Sequence, residues 1–127
     1  MTQPSDDPHG TILLIDDEDG VRKLVTRLLE RLGYEVISAS NGQAGIDAFD
    51  AMESDFYAVL LDLNMPIMGG EETLLLLQEA GCKAPIFIMS GYDKKSLKAD
   101  LPSTGYVAKP INVASLKAQL AECNSTR

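Results

Sequence analysis

A chain of 127 residues makes one domain with room for a single substantial core. Its 11 Lys+Arg stand against 19 Asp+Glu, and a formal net charge of −8 argues against unaided binding to nucleic acid or anionic lipid. Hydrophobic residues make up 45% and charged residues 24%, as in ordinary soluble proteins, and no unbroken apolar stretch is long enough to span a bilayer.

Residues 1–10 are polar and acidic, do not form a signal peptide, and read as a flexible N-terminal tail. Thr11 to Ile15 is a short apolar run, read as a buried strand. Val21, Leu24, Val25, Leu28, Leu29 and Leu32 then recur at helical spacing, with Asp17 or Asp19 as cap and Gly33 as stop. Tyr34 to Ala39 is a second strand. Asn41-Gly42 turns into a helix through about Met52, in which Gly45 costs about 1 kcal/mol relative to alanine. Within the apolar run from Tyr57 to Leu61, Val59-Leu60-Leu61 forms the third strand. Met65-Pro66 and Gly69-Gly70 form a loop before a helix from about Glu71 to Ala80, stopped by Gly81. Pro85 opens a fourth strand, Ile86 to Met89, and Ser90-Gly91 breaks it. A short helix is expected between Asp93 and Asp100, then Pro102 and Gly105 bracket the loop into a fifth strand, Tyr106 to Ala108. Asn112 caps a last helix carrying Val113, Leu116, Leu120 and Cys123, which leaves 11–123 as the domain and 124–127 as a C-terminal tail. Strands alternating with helices imply a parallel sheet covered on both faces.

Cys82 and Cys123 show no CxxC and no disulfide-type spacing, which suits a reducing cytoplasm, and read as small, partly buried apolar residues. The single histidine, His9, lies in the tail. That excludes a Ser-His-Asp hydrolase and a histidine-rich metal site. Any phosphoryl-bearing histidine must come from another molecule.

Three of the apolar runs end in charge: the first in Asp16-Asp17, the third in Asp62, the fifth in Lys109-Pro110. Parallel α/β sheets bind ligands outside the carboxyl ends of their strands, so these groups converge at one edge. Singly they are bland. Asp16-Asp17 reads as a helix cap, Asp62 as a loop aspartate, and Lys109 as a solvated lysine before a turn proline. Together, two carboxylates ~5 Å apart at an effective dielectric of ~20 repel by roughly 3 kcal/mol. A hard cation such as Mg²⁺ relieves that repulsion, and a nearby lysine can hold a phosphate as a point charge. Ser90 either caps the helix near Asp93 or binds a phosphate oxygen; both readings stay open. Leu74 to Leu77 is too wide for one amphipathic stripe and reads as a well-buried helix, with a partner-docking surface as the lesser alternative.

Four segments in this order resemble the receiver domain of two-component response regulators: Ile15-Asp16-Asp17-Glu18, Leu61-Asp62-Leu63-Asn64-Met65-Pro66, Met89-Ser90-Gly91-Tyr92 and Tyr106-Val107-Ala108-Lys109-Pro110. The resemblance covers residues 11 to about 123 and implies a flavodoxin-like, doubly wound α/β fold with five parallel strands in the order 2-1-3-4-5. It implies Asp62 as the phosphoacceptor, taking a phosphoryl group from a histidine kinase or histidine phosphotransfer protein. It further implies Mg²⁺, with Mn²⁺ as a substitute, held directly by Asp17, Asp62 and the main-chain carbonyl of Asn64, with Asp16 acting through water. Lys109 and Ser90 would bind phosphoryl oxygens, Ser90 and Tyr106 would form the switch, and Asn64 and Tyr92 would flank the path of attacking water.

The expected product is a signalling switch in the cytoplasm, acting through an output protein without direct contact to nucleic acid or membrane, and catalysing only its own aspartyl phosphorylation and dephosphorylation. It is either a free-standing regulator or a receiver from a hybrid sensor kinase. Two departures stand out. Gly69-Gly70 replaces the family's usual Asp-Gly, which implies a looser loop. Nineteen positions separate Ser90 from Lys109, about one helical turn short, so the intervening helix is expected to be truncated or irregular. An aspartate-nucleophile phosphatase needs a second carboxylate two positions after the nucleophile, where this chain has Asn64. A degenerate receiver, acting as a binding module, would have lost the acceptor or the acidic pair. A nucleotide-binding fold fails because no glycine-rich phosphate loop follows the first strand.

Overall fold

The computed structural model describes residues 10–51, 56–62, 70–82, 84–90, 105–108 and 111–125. Nine elements follow one another there: β1 (Thr11–Ile15), α1 (Asp19–Arg31), β2 (Glu35–Ala39), α2 (Gly42–Ala51), β3 (Ala58–Asp62), α3 (Gly70–Glu79), β4 (Ile86–Ser90), β5 (Gly105–Ala108) and α4 (Val113–Ser125). The five strands form one sheet in the order β2-β1-β3-β4-β5, every pairing parallel. This is the expected doubly wound arrangement.

Period-2 alternation along the strands builds two cores, one on each face. Ile12 and Leu14 of β1 join Ala58 and Leu60 of β3 beneath Val25 and Leu29 of α1 and Leu116 and Leu120 of α4. Leu13 and Ile15 join Val59 and Leu61 on the other face, under Phe49 of α2 and Leu74 and Leu77 of α3. A strand buried on both faces has no polar side to alternate with, which is why the central runs read as unbroken apolar stretches.

Helix ends follow local chemistry, with one correction. Neither Asp17 nor Asp19 caps α1. The N-cap is Glu18, which makes no side-chain capping bond. Gly33 ends α1 at φ 99°, where Tyr34 N–H donates to the Leu29 carbonyl at 3.1 Å, and Gly81 repeats the device after α3 at φ 86°. Asn112 Oδ1 accepts the Ser115 N–H at 3.0 Å, the cap expected of it, and Asn41 Oδ1, at the expected turn into α2, also caps by accepting the Ala44 N–H at 2.8 Å. Helix α4 runs to Ser125, two residues into the expected tail.

Two apolar expectations change. Leu24 lies outside the buried stripe of α1 at 53% exposure, because Val25 and Leu29 set the centre of that stripe. The leucine run of α3 is not uniformly buried: Leu74 and Leu77 are sealed, Leu76 is half-buried, and Leu75 is 54% exposed. Cys82 is half-buried, with Sγ 3.6 Å from the Ala84 carbonyl. Residues 1–9 of the expected tail, His9 included, residues 63–69 after Asp62, the short helix expected between Asp93 and Asp100, and the Cys123 side chain lie outside the described residues, whereas Gly10 is described and its carbonyl accepts the Glu35 N–H at 3.0 Å.

Candidate metal and phosphoacceptor site

Strand register brings the acidic residues together. Ile15 of β1 pairs with Leu61 of β3, so Asp16 and Asp62 leave neighbouring strands at the same level. Asp16 continues the β1–β2 ladder by donating its N–H to the Ala39 carbonyl at 3.1 Å. Asp62 ends β3 and pairs with Met89, one step before Ser90, whose partner in β5 is Ala108. The carboxyl ends of β1, β3, β4 and β5 therefore meet at one edge, as the α/β rule requires. Lys109, Asn64 and Tyr92 lie outside the described residues, as do the side chains of Ser90 and Tyr106.

One carboxylate oxygen from each of Asp16, Asp17 and Asp62 lies within 4.8 Å of the other two. Asp16 and Asp62 are sealed from solvent at 0% and 1% exposure, and Asp17 is half-buried. Burial first, then hydrogen-bond contact with and the charge of Asp62, raise the Asp17 carboxyl above its ordinary value; Glu18 adds to this and a backbone hydrogen bond opposes it. Asp17 thus resists ionisation. Its donors are all hard oxygens, the set that Mg²⁺ accepts, and the residues present fit that ion.

Asp16 is held in place by its surroundings. Its Oδ1 accepts the Glu18 N–H at 2.9 Å, and its carbonyl accepts Arg22 Nη1 at 2.9 Å. Arg22 Nη2 also pairs with Asp19 Oδ1, an i,i+3 contact on α1. Sequence reasoning did not single out Arg22. The Asp19–Arg22 spacing was the available signal, since residues three apart share a helix face.

Three clustered carboxylates, two sealed and one half-buried, at the carboxyl edge of a 2-1-3-4-5 parallel sheet define a flavodoxin-like protein whose edge offers oxygen donors suited to a hard cation. The family described as the response regulator receiver domain matches residues 12–121, and the chain belongs to that family of two-component signalling domains. The transcriptional regulatory protein SrrA of Staphylococcus aureus is 34% identical over 122 residues, covering 91% of this chain and 49% of SrrA. The chain spans about half the length of the curated relatives it matches. Among solved structures, the response regulator TrrA of Thermotoga maritima in complex with Mg²⁺-BeF superposes with a TM-score of 0.77 at 28% identity, covering 89% of this chain and 97% of that one. The receiver domain of the hybrid histidine kinase CckA gives a TM-score of 0.77 at 27% identity, covering 90% and 98%.

Proposed function

We propose that Asp62 is the phosphoacceptor of a two-component phosphorelay and that the acidic cluster is its Mg²⁺ site. The observation that carries this reading is the approach of the Asp16, Asp17 and Asp62 oxygens to within 4.8 Å at the carboxyl edge of the sheet. An Asp62 oxygen attacks the phosphorus of a phosphohistidine on a histidine kinase or phosphotransfer protein. A P–O bond forms, the P–N bond breaks, and the imidazole nitrogen keeps the electron pair. Bound Mg²⁺ supplies neutralisation of charge on the carboxylates and the transferring oxygens. By the family resemblance, Asp17, Asp62 and the Asn64 carbonyl would hold the ion directly, and Asp16 would act through water. The all-oxygen donor set leaves Mn²⁺ as a substitute. Lys109 and Ser90 engage phosphoryl oxygens, Tyr106 serves with Ser90 as the switch, and Asn64 and Tyr92 control the access of water.

The new group adds roughly −1.5 to −2 charges, which shifts the population of a pre-existing active conformation. The output is a protein contact rather than turnover of a separate substrate. A net charge of −8 supports an output without direct nucleic-acid contact. Among the described residues no helix is long and apolar enough to cross a membrane, and the unpaired cysteine spacing supports a cytoplasmic setting. The likeness to the CckA receiver supports a place in a hybrid kinase as readily as a free-standing regulator.

Incubation with a small acyl-phosphate donor and Mg²⁺ tests the reading by intact mass. One phosphoryl group is expected on the wild type and none on Asp62→Asn. Equal labelling of the two proteins would refute it.

A further inference from the structure

We infer that Arg22 is a positioning residue for the divalent-cation site, an inference that rests on the metal reading above. The Arg22 guanidinium spans two oxygens, the Asp16 carbonyl at 2.9 Å through Nη1 and the Asp19 carboxylate through Nη2. Its side chain is only 17% exposed, whereas that of Asp19 is 76% exposed. Asp16 is thereby held at three points: its N–H by Ala39, its carboxylate by the Glu18 amide, and its carbonyl by Arg22. Of these, only Arg22 ties the turn carrying Asp16 and Asp17 to a side chain of α1.

Two effects of Arg22 on cation binding oppose each other. Its positive charge competes with an incoming cation, while its fork fixes the turn from which two of the three carboxylates project. Pairing with Asp19 offsets much of the charge, and the donor bonds point to a carbonyl and to Asp19 rather than to the clustered carboxylate oxygens. Positioning therefore wins. A planar fork is needed because one group must reach two oxygens in fixed directions, which a lysine ammonium cannot reproduce.

The test is Mg²⁺ titration by calorimetry on the full chain, with thermal melts alongside, for wild type, Arg22→Lys and Arg22→Gln. Both variants should bind Mg²⁺ about three- to tenfold more weakly, at or below the roughly tenfold lower end of what outer ligand-orienting residues contribute to metal affinity. Tighter binding by Arg22→Gln would overturn the inference, since the arginine would then act only as a competing charge. Wild-type affinity in Arg22→Lys would equally overturn it, because charge alone would suffice. Unchanged affinity in both variants with lowered melting temperatures would reduce Arg22 to a structural role. A wild type that binds no Mg²⁺ would overturn the metal reading itself and this inference with it, whereas wild-type binding with unmoved variants removes only the role of Arg22.

Discussion

Helix α2 crosses β1 so closely at Gly45 that a Cβ there would stand 2.4 Å from Ile15 Cδ1 and 2.8 Å from Ile15 Cγ1. Ile15 is the residue before Asp16, so this contact backs the strand end that carries the acidic cluster. The glycine that the helix tolerates at about 1 kcal/mol is required by packing rather than by a turn.

Gly45→Ala should therefore destabilise the protein by about 1–3 kcal/mol, the usual cost of overpacking, although alanine is the better helix former. Ile15→Val in the same chain removes Cδ1 and should return part of the loss. Urea unfolding of the single and double variants measures both. A Gly45→Ala protein as stable as wild type would show that α2 has room to move away.

The leucines of α3 separate cleanly. Leu74→Ala, at a fully buried position, should cost about 2–5 kcal/mol. Leu75→Ala, at a position 54% exposed, should stay within about 0.5 kcal/mol of wild type. Equal losses in urea unfolding would mean that both leucines are buried.

On the proposed metal reading, the acidic cluster should make stability depend on pH and on Mg²⁺. Because the folded state raises the Asp17 carboxyl above its ordinary value, folding binds a proton there. The stability linked to that proton is fully present below the unfolded value of 3.8 and is lost as pH rises through the folded value. Above that folded value, metal-free protein carries the repulsion between Asp17 and Asp62. Asp17→Asn should raise the metal-free melting temperature at neutral pH by roughly 4 °C, about 1 kcal/mol once solvent screening is discounted. It should also remove most of the stabilisation that Mg²⁺ gives the wild type. In the wild type that Mg²⁺ effect should shrink on acidification. Scanning calorimetry across pH, with and without Mg²⁺, decides; a lower melting temperature for metal-free Asp17→Asn would contradict the repulsion.

Much of the fold was legible because its strands are buried on both faces and its turns carry glycine and asparagine. Gly33, Gly81, Asn41 and Asn112 all act where their chemistry placed them. The strand order came from family resemblance, since apolar runs do not say which strands are neighbours. The capping of α1 was misread because its aspartates have other partners: Asp17 faces Asp62, and Asp19 is taken by Arg22. Local pattern could not see the first of these contacts, which joins residues far apart in the chain. The leucine run was misread for a related reason. Burial of α3 depends on which side of the helix the sheet and α2 cover, and four consecutive leucines do not encode that. The gathering of Asp16, Asp17 and Asp62 was legible, because each follows an apolar run and parallel strands end together.

The account turns on Asp62 being the group that carries phosphate. The most direct measurement labels the protein with a small acyl-phosphate donor, reduces the acyl phosphate with borohydride, and locates the modified residue by peptide sequencing in a mass spectrometer. Conversion at position 62 alone, appearing with Mg²⁺ and lost in a chelator, is the predicted result. Conversion at Asp16 or Asp17, or labelling indifferent to the metal, would contradict it.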